Sequence, residues 1–157
     1  MAGASSFSSG GGIGIDFLLD FGWRSGRKVD IGPHVDAWAE CGFPLLDPAC
    51  AFMEEFGGIT FTYPRHVAVG GTHACLISGV EAVRGVSRAV VSSYESRVSR
   101  KLCPVGWSAS GTLTLLMDEE GVVYGGYDDF LVEVQRGGRR ALCAIHAREK
   151  PRRVVPE

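Results

Sequence analysis

The run Asp47-Pro48-Ala49-Cys50-Ala51-Phe52-Met53-Glu54-Glu55-Phe56-Gly57-Gly58 leads straight into Ile59-Thr60-Phe61-Thr62-Tyr63, and no other stretch restricts the possible folds as much. It predicts a helix that stops abruptly and becomes a strand. Asp47 is placed to cap the helix, Pro48 suits the first helical position, and the Gly57-Gly58 pair supplies the left-handed residue that ends it. Such a cap contributes about 1 kcal/mol. Phe52, Phe56 and Ile59 deliver large apolar groups to one corner, which is expected to seed the core. Pro64, with no N–H to give a ladder, stops the strand.

Structure is expected to begin at Ile13, because Met1 to Gly12 is a Ser/Gly-rich segment read as disordered. A short helical stretch follows from Ile15 to Phe21 and ends at Gly22. Trp23 lies in the turn-rich segment after it and is expected to pack back on the core. A second helix starts near Asp30 to Gly32, puts Val35, Trp38 and Cys41 on one face, and closes at Gly42. Residues Arg65 to Val83 read as a loop plus one short strand at Ala74 to Ile77. Val86, Val90, Tyr94 and Val98 recur every four residues and predict a helix from Val86 to about Leu102. Leu113, Leu115 and Met117 alternate along a strand; Asp118-Glu119-Glu120-Gly121 makes a turn, and Val122-Val123-Tyr124 returns as its partner. Another strand, Phe130 to Val134, leads to a last helix holding Ala141, Leu142, Ile145 and Ala147. The tail Lys150 to Glu157 carries two prolines and reads as loose.

The chain's 157 residues suit one domain with a single core. Cys41, Cys50, Cys75, Cys103 and Cys143 are odd in number and contain no C-x-x-C, so reduced thiols buried in apolar surroundings are the simplest reading. The N-terminus lacks the basic and apolar regions of a secretion signal, and the longest apolar runs fall well short of the ~20 residues of a spanning helix. The cytoplasm is the expected compartment, with no membrane contact. Net charge is only −2, yet it is blocked: from Leu102 to Gln135 there are six acidic residues and no lysine or arginine. Basic residues cluster after it, at Arg136, Arg139, Arg140, Arg148, Arg152 and Arg153. An acidic remainder and a pI near 6.1 argue against a dedicated nucleic-acid binder.

No complete catalytic pattern is present. Gly106-Trp107-Ser108-Ala109-Ser110-Gly111 resembles a nucleophile elbow, but G-x-S-x-G around Ser108 needs glycine where Ser110 stands, and the segment joins two predicted strands. His73-Ala74-Cys75 lacks the glutamate and the P-C-x-x-C of a zinc deaminase. His34, His66, His73 and His146 have no metal-ligand spacing to one another or to a cysteine. Gly10 to Gly14 follows no strand and breaks G-x-G-x-x-G at Phe17. Glu54-Glu55 and Asp128-Asp129 are adjacent carboxylates with no visible site around them. A binding protein, without cofactor or metal, is the better reading.

One ordered set of residues carries more information than any of these fragments: Gly22-Trp23-x-x-x-Arg27-x-Val29-Asp30, Trp38, Gly42-Phe43-Pro44, Phe52-x-Glu54-Glu55-Phe56-Gly57-Gly58-Ile59, Leu102-Cys103-Pro104-Val105-Gly106, and Met117-Asp118-x-x-Gly121-x-Val123-Tyr124. Together they resemble the third subfamily of SUKH-superfamily immunity proteins, over about Ile13 to Arg148. The resemblance implies a single α+β domain spanning 13–149, with helices packed on a curved, largely antiparallel sheet. It also implies a non-enzymatic cytoplasmic antidote that binds and blocks a cognate toxin of a bacterial polymorphic toxin system, often a nuclease or nucleic-acid deaminase. The same scaffold could instead serve as an adaptor for a non-toxin protein.

Toxins that act on nucleic acid need a cationic groove, which carboxylates can occlude. Asp118, Glu119, Glu120, Asp128, Asp129 and Glu133 lie in the block without cations and are the expected toxin-contact residues. The alternative, that Asp118 to Glu120 only form a soluble hairpin turn, stands beside it.

Overall fold

The computed structural model describes residues 14–66 and 68–156. The Met1 to Gly12 segment, expected to be disordered, lies outside the described residues. A 3-10 turn over Asp16–Phe21, closed by Gly22, is followed by helices α1 (Gly32–Glu40) and α2 (Asp47–Phe56). Strands β1 (Thr60–Pro64) and β2 (Thr72–Ile77) come next, then helices α3 (Gly79–Ala82) and α4 (Arg88–Val98). The remainder is β3 (Leu102–Ser108), β4 (Leu113–Asp118), β5 (Val122–Tyr127), β6 (Phe130–Arg136), α5 (Gly138–His146) and β7 (Arg152–Arg153). Among the described residues seven strands lie side by side in chain order, every neighbouring pair antiparallel, in one open sheet. This is the mixed α+β domain that the resemblance implied.

Both faces of the sheet's middle are covered, so β4 does not show the simple alternation expected of it: Leu115, Leu116 and Met117 are all buried. Register explains this. Leu115 lies opposite Gly125 and Leu116 opposite Tyr124, on opposite faces. On one face, Phe61 of β1 packs edge-on to Phe17 at 5.2 Å, and Phe17 stacks on His146 of α5 at 3.8 Å. On the other face Tyr94 of α4 fills the space over Gly126, where a Cβ would lie 2.5 Å from its ring. Only glycine lets α4 sit this close.

The helix-to-strand corner forms as expected, with Phe52, Phe56 and Ile59 buried and Gly58 at φ +85°. Its start differs. The cap position falls on Leu46, with no side-chain cap, and Asp47 is itself the first helical residue. Its carboxylate can favour the helix dipole, but it caps nothing. The motif residues upstream bind the other end of α2. Trp23 Nε1 donates to Glu55 Oε2 (3.1 Å), Val29 N–H to the Glu54 carbonyl (2.9 Å), and Arg27 to the carbonyls of Glu55 (2.7 Å) and Gly57 (2.8 Å). Arg27 thus satisfies orphan carbonyls where the helix stops. Two stretches separated in sequence are therefore one structural unit.

Other readings need adjustment. Cys41 is exposed instead of sharing the inner face of α1 with buried Trp38, whose Nε1 donates to the Pro104 carbonyl at 2.7 Å. All five thiols are free, but only Cys75 and Cys103 are fully buried. Helix α4 starts at Arg88, capped by Ser87, and its fully buried residues are Val91 and Tyr94, while Val86, Val90 and Val98 of the predicted series pack against the core but are only partly buried. The 65–83 region holds a six-residue strand and also α3, capped by Ser78. The tail read as loose contributes β7, where Arg152 and Arg153 pair with Glu133 and Val132 and Val154 N–H donates to the Leu131 carbonyl.

Candidate functional site

The acidic residues expected to form one contact surface occupy two ends of the sheet. Asp118, Glu119 and Glu120 belong to the β4–β5 turn, and Asp128 and Asp129 to the β5–β6 turn. Strand β5 lies between them, and its six residues span roughly 20 Å. Glu133 sits within β6.

At the first end most of the charge is already used. Asp118 is fully buried. Its Oδ1 accepts from the backbone N–H of Glu120 (2.8 Å) and Val122 (3.0 Å), and its Oδ2 from the Tyr124 hydroxyl (3.0 Å), with Arg100 Nε at 3.7 Å. Burial, reinforced by the Asp118 charge, pushes the Tyr124 phenol upward, so it remains a donor. Asp118 therefore organises the hairpin and presents no surface to a partner. Glu120 lies between Arg136 (2.6 Å) and Arg100 (2.7 Å), and these guanidinium groups hold its carboxyl below the ordinary value. Glu133 pairs with Arg152. Glu119 is exposed, with Oε1 accepting from Lys101 N–H at 3.2 Å. A block that lacks cations in sequence thus acquires Arg100, Arg136 and Arg152 in the fold.

The second end is different. Asp128 and Asp129 are exposed, and among the described residues neither carboxylate is in an ion pair. Two exposed aromatics flank them, Tyr127 at 53% and Phe130 at 37%. The turn is held from behind through its carbonyls, which leaves the carboxylates outward: the Tyr94 hydroxyl donates to the Asp128 carbonyl at 2.6 Å and Arg97 donates to that of Asp129. Arg153 covers the Phe130 ring at 5.3 Å. Burial pushes the Tyr94 phenol up, Arg97 opposes this, and Asp128 and Asp129 add to it. The sequence did not separate this turn from the other, because the aromatic flanks were read as strand and connection residues.

The fragments that resembled catalytic motifs are dispersed or structural. Ser108 ends β3, and the segment after it joins two strands, β3 and β4, as the sequence predicted, by way of a 3-10 turn that it did not. Ser110, at φ +56°, accepts from Ala74 N–H at 3.1 Å and lies 3.3 Å from His73 Nδ1, but no carboxylate orients that histidine among the contacts of the described residues. Glu55 is occupied by Trp23 and Arg139, and Glu54 pairs with Lys28 at 3.8 Å. No group of three His, Cys, Asp or Glu side chains converges among the described residues. No helix among them is long and apolar enough to cross a membrane.

Comparison with known proteins agrees with the sequence resemblance. The SUKH-3 immunity protein family matches residues 15–142, from the first 3-10 turn into α5. Searches of curated proteins and of solved structures give no match. The match takes in the Trp23–Arg27–Glu55 unit, the Trp38–Pro104 contact and the Asp118 hairpin, all of which hold the scaffold together. The chain belongs to the SUKH-3 immunity proteins of polymorphic toxin systems, non-enzymatic antidotes that act by binding a cognate toxin.

Proposed function

We propose that this protein neutralises a toxin that acts on nucleic acid, a nuclease or a nucleic-acid deaminase, by laying the β5–β6 turn across the toxin's cationic groove. The observation that supports this reading is the pair of exposed carboxylates, Asp128 and Asp129, free of ion pairs among the described residues and flanked by exposed Tyr127 and Phe130. A groove that holds phosphates carries uncompensated positive charge, and carboxylates placed against it compete directly with the substrate. Aromatic side chains beside them supply the apolar contact that interface anchors use. Glu119 adds weaker attraction from the far end, whereas Glu120 and Glu133 are largely neutralised by arginines.

The test is co-expression of the full chain with the toxin domain encoded beside it. Wild-type protein restores growth and co-purifies in a stable complex. The double reversal D128K/D129K weakens the complex by at least about tenfold, while E119K leaves rescue intact. Unchanged affinity and salt dependence in D128K/D129K would show that the contact surface lies elsewhere.

A further inference from the structure

Between the sheet and the last turn of α5 is an apolar groove of about 410 Å³. The sheet contributes Tyr63, Leu113 and Val134, α5 contributes Ala144 and Ile145, and the tail contributes Pro151. Ser108 also lines it but is only 3% exposed. Charge is confined to three consecutive exposed residues, Arg148, Glu149 and Lys150. Among the described residues none of the three is in an ion pair. Arg148 Nη1 donates to the Arg65 carbonyl at 3.0 Å, which holds the guanidinium in place and leaves its other N–H groups to a ligand. Two cations against one anion make this site positive, opposite in sign to the β5–β6 turn.

The groove is continuous with the exposed aromatics of that turn. Thr114 pairs with Gly126, so one further step in register sets Leu113 beside Tyr127, and Tyr127 pairs with Phe130. Leu113 and Tyr127 each stand two residues from the Leu115–Gly125 pair, on its face of the sheet. The Leu113 side chain confirms this, because a Cβ on Gly125 would lie 2.5 Å from its Cδ2. An apolar strip therefore runs from Phe130 and Tyr127 over Leu113 into the groove, with Asp128 and Asp129 at one end and Arg148 and Lys150 at the other.

A concave apolar seat at the end of such a strip suits the large anchor residue of a protein interface. The charges beside it define what fits, since a guanidinium and an ammonium without partners gain one only from an anion. We propose that this groove receives an apolar side chain of the cognate toxin, with a toxin carboxylate next to it paired to Arg148 and Lys150. The proposal rests on the reading of the β5–β6 turn as the toxin-facing surface and adds a second contact of opposite sign. Two contacts of opposite sign fix the orientation of the bound toxin. Turned end for end, it would set its cations against Arg148 and Lys150 and its carboxylate against Asp128 and Asp129.

The experiment has two arms, both on the full chain. In the first, isotopically labelled protein is titrated with N-acetylphenylalanine, which carries a ring and a carboxylate, with its uncharged amide, and with N-acetylglycine, which keeps only the carboxylate. The expected result is millimolar binding of N-acetylphenylalanine, with backbone amide shifts concentrated at Leu113, Val134, Ile145 and Lys150, and about tenfold weaker binding of the other two. R148Q/K150Q, at exposed positions, removes the preference for the acid over its amide. V134F fills the groove and abolishes binding. In the second arm both variants weaken the complex with the neighbouring toxin domain by about tenfold. Shifts scattered over all surface cations, equal binding of acid and amide, or a preference that survives R148Q/K150Q would overturn the proposal. A toxin complex untouched by both variants would overturn it too, and leaves the reading of the β5–β6 turn in place. A complex weakened by the groove variants but not by D128K/D129K refutes that reading and leaves the groove standing. This chain carries a matching pair of its own, exposed Phe130 beside Asp129. A concentration-dependent dimer in sedimentation, lost in V134F, would therefore make a second copy the occupant and overturn the toxin as its ligand.

Discussion

Asp118 shows how one buried carboxylate can fix a hairpin. Its oxygens serve two backbone N–H groups and the Tyr124 hydroxyl at a site with no solvent access. Replacing Asp118 with alanine strands all three donors and is expected to lower stability by about 3 kcal/mol, read by urea denaturation. Glu119→Gln, at the next residue but exposed, leaves the midpoint unchanged. A D118A protein as stable as wild type would remove the carboxylate from this role. The turn was legible in Asp-x-x-Gly, where the first side chain bonds backbone two residues on. Burial of the carboxylate was not, since it depends on Tyr124 and Arg100 closing over it. His34 makes a similar contact that titrates. Its neutral Nδ1 accepts from Gly79 N–H (3.0 Å) and Val80 N–H (3.4 Å), and burial holds its pKa below the ordinary 6.5, with Asp30 opposing. The unfolded chain therefore takes up this proton at a higher pH than the folded one. The contribution is complete above the unfolded value and is lost as pH falls from about 6.5 toward the lowered folded value. Asparagine offers an acceptor without a proton to gain, so His34→Asn is expected to reduce the difference between denaturation midpoints measured at about pH 7.5 and pH 5.5. Some slope remains, because burial lowers His146 in the same sense. An unaltered pH dependence in His34→Asn would exclude the contact as its source.

Among the elements, the two long helices test where capping resides. Ser87 accepts from Val90 N–H at 3.1 Å and starts α4, whereas no side chain caps α2. Ser87→Ala is expected to cost about 1 kcal/mol and Asp47→Ala distinctly less, measured by thermal or urea unfolding of the two variants side by side. Equal losses would restore Asp47 as a cap. The sequence found α4 through the four-residue recurrence of Val90, Tyr94 and Val98, but it ran the helix from Val86, which lies before the cap, to about Leu102, which opens β3, whereas the helix spans Arg88–Val98. The helix-to-strand corner was the most legible element, since proline, two phenylalanines and paired glycines all point the same way. Strand β2 and helix α3 were harder to see. Thr72–Ile77 owes its conformation to register with β1, from Thr60 opposite Leu76 to Pro64 opposite Thr72, and α3 is a single turn held by Ser78. Strand β7 has two residues and exists only because β6 offers an edge. Pairing of that kind carries no local signal for a sequence reading to find.

At the scale of the molecule, the charge blocks were legible but their pairing was not. Arg100 and Arg136 come from segments on either side of the acidic block, and the fold brings both onto Glu120. This leaves the sheet with unlike ends: one cross-linked by ion pairs, the other carrying two carboxylates without an ion pair among the described residues, on a turn held by Tyr94 and Arg97. With β5 of roughly 20 Å between them, the two ends can contribute differently to one association. Long-range attraction to a cationic toxin should come mainly from Asp128 and Asp129, while paired Glu120 presents little net field. The consequence is kinetic. Asp128→Asn/Asp129→Asn is expected to slow association with the toxin domain about tenfold at low ionic strength and to flatten the dependence of the rate on salt. Neutralising Glu119 and Glu120 together should change the rate less than twofold. Stopped-flow mixing over a range of salt concentrations separates the cases. If the two double variants lose association rate equally, steering is a property of the whole acidic block, and the ion pairs at the β4–β5 end do not screen it.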